Sequence, residues 1–384
     1  MLKILVIHTN YTQRGGEDTV VEQEMELLKN NYVVDFLCFK NNPGIKGLFQ
    51  FLISIWNIKS SKIVKKKIKD FNPDVIHLHN WHFASGPIII RTAKKLGVSV
   101  VHTLHNYRLI CPSGTLFYRD SLFLDSMHKT FPWKAVQKKV YKNSTALTFW
   151  LAFIVWFHKM IGTWKMIDKY ICLTASSFKL FTSSGLNINQ DKFIIKPNFS
   201  TLETNTKHLQ RENHFLFIGR LVEEKGVRLL IKAFENLPYN LKIVGEGPLK
   251  NYVLNSAKVF SNILYLGSLN KEDISLELKK ANALIFPSTW LEPFGLVIIE
   301  AFSNGCAVLS TNIGAPEVLI EDCKNGFHFK TNDEKDLISV LQKWESLELQ
   351  QKTAMREWAF KTFIEKYSPV KQDYYFSKIY SDTR

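Results

Sequence analysis

The chain has 384 residues, of which 46% are hydrophobic, and its 50 lysines and arginines outnumber 35 aspartates and glutamates to give a formal net charge of +15. Single hydrophobic cores seldom grow beyond roughly 250 to 300 residues, so this length excludes one core and predicts two domains.

The positive charge lies in the first half of the chain. Residues 1–198 contain 27 Lys and Arg against 12 Asp and Glu, whereas residues 199–384 contain 23 of each. Nucleic acid is not the expected partner, because the chain has no zinc-finger spacing, basic zipper or aromatic–arginine strand pattern. The five cysteines form no close pair and the amino terminus is typical of a strand, which predicts reduced thiols in the cytoplasm.

Short apolar runs alternate with helical segments along the whole chain, which predicts parallel sheets covered on both faces. The polar stretch 201–213 is the best linker. We therefore expect a first domain over 1–200, a second over 201–366, and a C-terminal segment, 367–384, that packs back on the first. The predicted strands are Lys3–His8, Asp74–His79, Ser99–His105, Lys169–Thr174, Phe193–Pro197 and six more from Phe215 onward.

Two basic, aromatic segments of the first domain, 48–69 and 134–157, favour docking on an anionic membrane surface. The uncharged run 146–157 spans about 18 Å as a helix, too short for a hydrocarbon core of roughly 30 Å. Tryptophan and phenylalanine could enter the membrane interface while lysines meet anionic lipid. Both segments could also be ordinary core helices.

A histidine cluster, His77, His79 and His82, raises the question of a metal. No Asp or Glu lies between these histidines or follows them closely to complete a site, and no Asp-any-Asp triplet occurs in the chain. We therefore expect no metal site and no cofactor. The histidines could line a cleft or be structural.

The next polar residues, His105 and Arg108, follow the strand that begins at Ser99 and therefore lie at its carboxyl end, where ligands of parallel sheets bind. We expect His105 beside the reacting sugar and Arg108 near an acceptor phosphate or hydroxyl, although a structural histidine is the alternative. A loop of about thirty residues begins at Cys111 and is expected to shape acceptor choice.

A glycine-bounded basic turn, 219–226, follows the strand that begins at Phe215. Its Arg220 offers a planar fork to phosphate oxygens and its Lys225 a mobile charge, so both suit a diphosphate leaving group. Two further turns carry Glu246 and Leu269. Glu246 could face a donor or simply be solvated.

The most informative stretch is 292–300, where Glu292 and Glu300 lie eight positions apart after the apolar strand Ala283–Phe286. Its middle opens a helix, and eight residues at about 100° each return near one helical face, so both carboxylates can reach one ligand. The helix amino terminus adds unpaired N–H groups for an anion.

Together these motifs resemble the retaining glycosyltransferases of family 4, which have the GT-B fold: two Rossmann-like, doubly wound α/β domains with parallel sheets, facing each other across a cleft. Gly15 and Gly16 look like the family's glycine loop, and 103–108 is similar to its His-containing acceptor-side motif. The resemblance implies a nucleotide-sugar donor, catalysis with retention, and a set of site residues. Those implied in catalysis are His105, Glu292, Arg220 and Lys225; those in donor binding are Gly15, Gly16, Arg220, Lys225, Glu246, Leu269, Phe294, Gly295, Leu296 and Glu300; those in acceptor binding are His105 and Arg108.

The resulting expectation is a cytoplasmic glycosyltransferase, peripheral at the inner face of the cytoplasmic membrane, that acts on a lipid-linked or surface glycan. The alternatives are an enzyme of the same fold that is not membrane-bound, using a small phosphorylated acceptor or epimerising a sugar nucleotide, and a binding protein without turnover.

Overall fold

The computed structural model describes residues 1–12, 15–200 and 210–383. These form two compact units. The described parts of 1–118, 123–198 and 372–384 belong to the first unit, and those of 119–122 and 199–371 to the second. Most of the predicted linker, 201–209, lies outside the described residues. The five cysteines are free thiols.

Each unit contains one six-stranded parallel sheet, which confirms the predicted fold class. The central strands are apolar because they are buried on both faces; Ile4 to Ile7 of the first strand, for example, are at most 1% exposed. The strands in chain order are β1 Lys3–Asn10, β2 Val33–Lys40, β3 Val75–Leu78, β4 Ser99–Thr103, β5 Phe117–Tyr118, β6 Ser121–Leu122, β7 Lys169–Cys172, β8 Phe193–Ile195, β9 His214–Ile218, β10 Asn240–Val244, β11 Ile263–Gly267, β12 Ala283–Phe286, β13 Val308–Thr311 and β14 Gly326–Phe329.

The helices connect the strands on both sheet faces. None of the described helices is both long and apolar enough to cross a bilayer. In chain order they are α1 Gly16–Leu28, α2 Gly44–Ile53, α3 Ile58–Phe71, α4 Ile88–Lys95, α5 Trp133–Gln137, α6 Thr145–Met160, α7 Ala175–Thr182, α8 Val227–Phe234, α9 Lys250–Val259, α10 Lys271–Lys280, α11 Leu296–Ser303, α12 Ala315–Leu319, α13 Glu334–Ser346, α14 Leu349–Thr362 and α15 Pro369–Ser381, with a π-helical turn, Phe363–Tyr367, after α14.

The strand orders fix where a ligand can bind in each unit. The first sheet runs β2-β1-β3-β4-β7-β8, so the strand order reverses between β1 and β3. The second runs β11-β10-β9-β12-β13-β14 and reverses between β9 and β12. Ligands of open parallel sheets bind outside the carboxyl ends of the strands at such a reversal. The candidate sites are therefore the β1 and β3 ends and the β9 and β12 ends.

The C-terminal helix α15 completes the core of the first unit. Its Phe376, Ile379 and Tyr380 are buried in one cluster with Ile4 of β1 and Val21 of α1. At about 25 cal/mol per Å² of buried apolar surface, such aromatic side chains each contribute a few kcal/mol to holding this segment in place.

Candidate functional site

The turn after β9 packs directly against the loop after β12. Gly226 ends the turn with φ +69°, and a Cβ at this position would collide with the carbonyl oxygen of Pro287. The amide of Thr289 donates to the carbonyl of Glu224 at 2.9 Å. The two loops that flank the strand-order reversal are thereby fixed to each other.

Lys225 and Glu292 meet across this contact. The Lys225 ammonium lies 2.5 Å from Oε2 of Glu292, and both side chains are mostly buried, at 15% and 12% exposed. The hydroxyl of Ser288 donates to the same oxygen at 3.4 Å. The ammonium also lies 5.2 Å from the ring centroid of Phe286 and 5.8 Å from that of Trp290. The structure therefore brings together one cation and one carboxylate of the predicted set and restrains the lysine by cation–π contacts.

Arg220 behaves differently from Lys225. Its side chain is 63% exposed, and its ion pair with Glu224 is long, at 3.6 Å. An exposed pair of this kind contributes little to stability, so the guanidinium remains able to turn toward an anion.

The two motif glutamates reach their places by different means. Helix α11 begins at Leu296 after Gly295, which adopts φ +86°. Glu292 therefore precedes the helix by four residues, and Glu300 is its fifth residue, only about one turn along. The two carboxylates therefore do not share a face through helical periodicity, contrary to the expectation from their spacing. The position of Glu292 is set instead by its loop contact with Lys225.

The Glu300 carboxylate makes no hydrogen bond or ion pair within the described parts of the chain. Burial raises its pKa from the usual 4.5 to about 7, and the charge of Lys271 offsets only part of this shift. Glu300 is half-buried, and a partly desolvated carboxylate at a strand-order reversal is typical of a functional group.

The remaining predicted donor residues occupy the same edge of the second sheet. The exposed carboxylate of Glu246 pairs with Lys250 at 2.9 Å and accepts from the hydroxyl of Tyr265 at 3.2 Å, so it is already engaged. Phe294 is buried edge-to-face against Tyr367. Leu269 and Leu296 are half-buried on the loop after β11 and at the start of α11.

In the first unit, Gly15 and Gly16 start α1 at the end of β1. The amide of Gly15 donates to Asp18 at 2.8 Å, and Asp18 also contacts His8 at 2.8 Å. Burial and the neighbouring Asp18 charge raise the pKa of Glu17 to about 8. The amino terminus of α1 is thus partly capped by its own acidic residues.

The predicted acceptor residues lie at the carboxyl ends of β3 and β4. Nε2 of His105 is 2.9 Å from Nδ1 of His79, and Nη1 of Arg108 donates to Nε2 of His82 at 2.6 Å. His105 and Arg108 line a cavity of about 270 Å³. Arg108 also borders a second depression of about 430 Å³, open to solvent, whose wall includes Lys129, Trp156 and other side chains of the loop after Cys111 and of α6.

Two candidate functional residues were not predicted from the sequence: Glu24 of α1 and Lys196 after β8. The expectation that no carboxylate approaches the histidine cluster is wrong, because Oε2 of Glu24 lies 3.5 Å from Nε2 of His79. Potential ligand atoms of Glu24, His77 and His79 lie within 4.8 Å of one another. The Lys196 ammonium already sits 2.5 Å from Glu24 and would repel a metal cation.

The nitrogens of His77 are also occupied, by the hydroxyls of Tyr380 at 2.8 Å and Thr103 at 2.7 Å. The donor set therefore fits a proton network better than a metal site. Glu24 and Lys196 are 172 positions apart, and a single sequence does not show which residues so far apart are in contact. The pair was therefore not predicted.

Comparison with known proteins now supplies the family. Residues 14–174 match the model described as Glycosyltransferase Family 4, and residues 200–362 match the one described as Glycosyl transferases group 1. Together these matches support a GT-B glycosyltransferase that is similar to family 4. The chain is therefore an enzyme that transfers a sugar, and it has the GT-B fold.

Individual relatives agree with this assignment. An uncharacterised 42.6 kDa protein of the Klebsiella pneumoniae cps region is 28% identical over 72% of this chain and 66% of that protein. The Escherichia coli UDP-Gal:alpha-D-GlcNAc-diphosphoundecaprenol alpha-1,3-galactosyltransferase is 26% identical over 85% of this chain and 84% of its own. The structure of Anabaena HepE in complex with UDP and glucose aligns with a TM-score of 0.68 at 15% identity, covering 99% and 100% of the two chains, and so supports the fold.

Proposed function

We propose that this glycosyltransferase moves a sugar, with retention of configuration, from a nucleotide-diphosphate donor to a hydroxyl of a lipid-linked or surface glycan intermediate at an anionic membrane surface. The observation that carries the proposal is the Lys225–Glu292 pair at the strand-order reversal of the second unit, beside the amino terminus of α11.

The donor part of the proposal rests on the charges at that reversal. Lys225 and the exposed Arg220 neutralise the diphosphate as negative charge develops on the leaving group. The first N–H groups of α11 add a partial positive charge for the same anion. No metal is needed in this scheme. The ionised carboxylate of Glu300 accepts hydrogen bonds from ribose hydroxyls.

Glu292 orients the transferring sugar by its hydroxyls, together with the backbone N–H groups of Phe294 and Gly295. Its carboxylate is held by Lys225 and Ser288, which suits an orienting group better than an attacking nucleophile. The acceptor hydroxyl then attacks the anomeric carbon on the face from which the diphosphate departs. The bond from that carbon to the diphosphate oxygen breaks, the departing phosphate oxygen takes the hydroxyl proton, and configuration is retained.

The acceptor part rests on Arg108, which borders both depressions of the first unit. Its Nε has no hydrogen-bond partner among the described residues although it is buried, so a bound acceptor phosphate or hydroxyl would satisfy it. The galactosyltransferase relative is named for a diphosphoundecaprenol-linked sugar, which supports a lipid-linked acceptor here.

Turnover of radiolabelled UDP-, GDP- and ADP-sugars with extracted lipid-linked saccharides tests the activity. We expect one donor to label the lipid fraction, in EDTA as well as without it, and the product to keep the donor's anomeric configuration. Label transferred only to a small phosphorylated sugar would favour the alternative acceptor class. Inversion, or loss of turnover in EDTA that Mg²⁺ restores, would contradict the mechanism.

The membrane part of the proposal rests chiefly on α2. Its exposed apolar residues recur at intervals of one, three and four positions and so share one face. Lysines of α3 lie on the adjoining helix. The exposed residues of this face and of the turn after it are Ile45, Leu48, Phe49, Leu52 and Trp56.

The second predicted segment, 134–157, contributes less. Helix α6 buries Leu151, Ala152 and Ile154, and the indole of Trp150 donates to the carbonyl of Phe51 at 3.0 Å, so much of this helix belongs to the core. Phe149 of α6 packs against Trp133 of α5, whose side chain is 58% exposed.

Vesicle cosedimentation tests the docking face. The double variant Phe49→Ser, Leu52→Ser should lose binding to vesicles containing anionic lipid, because about 1.5–3 kcal/mol of transfer free energy disappears per side chain. The matched control Leu349→Ser, an exposed leucine of the second unit, should bind like the unmodified protein. Equal binding of both variants would contradict docking through α2.

A further inference from the structure

A chain of buried polar groups lies behind His105 and ends at a buried ion pair. Nε2 of His105 is 2.9 Å from Nδ1 of His79. Nε2 of His79 is 3.5 Å from Oε2 of Glu24, and Oε1 of Glu24 is 2.5 Å from the ammonium of Lys196. Neither His79 Nε2 nor Glu24 Oε2 makes a hydrogen bond among the described residues, and their 3.5 Å separation is a contact between two otherwise unsatisfied buried atoms.

The chain is sealed from solvent at its inner end. Lys196 is 0% exposed and Glu24 1%, and the ring of Phe376 from α15 covers the ammonium at 4.5 Å. The His79 ring stacks between those of His77, 4.4 Å away, and His105, 5.2 Å away. Side-chain rotation is therefore restricted, and the positions of the protons carry the remaining freedom.

Burial lowers the pKa values of His79 and His105 well below 6.5, so both imidazoles are neutral at neutral pH and each carries one N–H. Burial raises the pKa of Glu24, while the charge and hydrogen bond of Lys196 oppose that shift. At 2.5 Å from an ammonium, Glu24 is the ionised partner of an ion pair.

One arrangement of protons gives this contact a favourable polarity. Ionised Glu24 attracts an N–H and repels a nitrogen lone pair at 3.5 Å, which favours the tautomer of His79 with its proton on Nε2 and a bare Nδ1. His105 consequently donates from Nε2, and its Nδ1 is bare. No described residue hydrogen-bonds to this Nδ1, and His105 lines the 270 Å³ cavity.

We propose that Glu24, kept ionised by Lys196, acts through His79 as a positioning group that fixes His105 with a bare Nδ1, ready to accept a hydrogen bond from a sugar or acceptor hydroxyl. The catalytic consequence rests on the proposed function and on the expectation from the sequence that His105 lies beside the reacting sugar. The tautomer itself does not depend on that function.

Glu24→Gln is a near-isosteric test. Its amide oxygen would turn to Lys196 and its NH₂ group to His79, because an ammonium needs an acceptor. Nε2 of His79 then becomes the acceptor, Nδ1 of His79 donates to His105, and the proton of His105 moves to Nδ1. Glu26→Gln, an exposed glutamate on the same helix, is the matched control.

Nitrogen NMR of histidine-labelled protein without substrate reads the tautomer, with His105→Gln used to assign the signal. We expect the proton on Nε2 in the unmodified protein and in Glu26→Gln, and on Nδ1 in Glu24→Gln. A proton on Nδ1 of unmodified His105 would overturn the proposal even if Glu24→Gln failed to fold. An unchanged tautomer in folded Glu24→Gln would overturn it as well.

Kinetics separate this proposal from the proposed function. Glu24→Gln should lower kcat about 100-fold with little change in the donor KM, since a hydrogen bond to a reacting group acquires the wrong polarity. A switched His105 tautomer with unchanged kcat in Glu24→Gln would support the action of Glu24 through His79. It would instead overturn the placement of His105 beside the reacting sugar.

Discussion

Replacing Glu300 with glutamine should stabilise the ligand-free enzyme, although Glu300 is a predicted donor-binding residue. Its pKa is raised on folding from 4.5 to about 7 because burial disfavours the charged form. The contribution of such an acid to stability is present below its unfolded pKa and is lost as pH rises through the folded value. At 1.36 kcal/mol per pKa unit, the ionised carboxylate costs about 3 kcal/mol at about pH 8 but under about 1 kcal/mol at about pH 5.

Urea unfolding of ligand-free protein at these two pH values measures the effect. Glu300→Gln should gain up to about 3 kcal/mol over the unmodified enzyme at about pH 8 and much less at about pH 5, while the exposed Glu357→Gln should stay within about 0.5 kcal/mol at both. The donor KM of Glu300→Gln should rise. A variant that is no more stable at the higher pH would refute the reasoning, because it would show that the carboxylate is well solvated.

Three further substitutions probe the loops around Lys225. Gly226→Ala should cost about 2 kcal/mol more in urea unfolding than Gly267→Ala, since both glycines have similar positive φ but only a Cβ at 226 meets a backbone carbonyl; equal costs would contradict the loop packing. Lys225→Gln should lower stability by about 1–3 kcal/mol and turnover about 100-fold, because Glu292 loses its cation. Arg220→Gln should leave unfolding unchanged and raise the donor KM about tenfold in steady-state assays; a stability loss there would mean that the guanidinium has a structural role.

Much of the fold could be predicted because parallel strands buried on both faces leave short apolar runs, and some of these, such as 215–218, are followed directly by a glycine-bearing turn. Strand β2, Val33–Lys40, was missed. It is an edge strand that carries Asp35 and Lys40 and is only partly buried, so its sequence lacks the uniform apolar signal.

The candidate site could be predicted from the sequence only where a charged residue suited to the ligand follows the end of a predicted strand. Lys225 and Glu292 could be assigned to one ligand because each follows an apolar strand, but their direct contact depends on the pairing of β9 with β12, which a single sequence does not encode. Glu24 lies inside a helix far from any motif. Its role emerges only when α1 and the residue after β8 meet beneath His79.

Glu292 and Glu300 belong to one motif but lie in different electrostatic environments, and we infer different roles for them from this difference. Glu292 has a cation at 2.5 Å and a hydroxyl at 3.4 Å, so its charge is satisfied before any ligand binds. Glu300 has no partner within the described residues, and its burial is a cost to folding. A ligand that donates hydrogen bonds, as a ribose does with adjacent hydroxyls, removes that cost only at Glu300. Donor binding should therefore strengthen as pH rises through about 7 in the unmodified enzyme and lose this dependence in Glu300→Gln, whereas a pH dependence that survives the substitution would have to be assigned to another group.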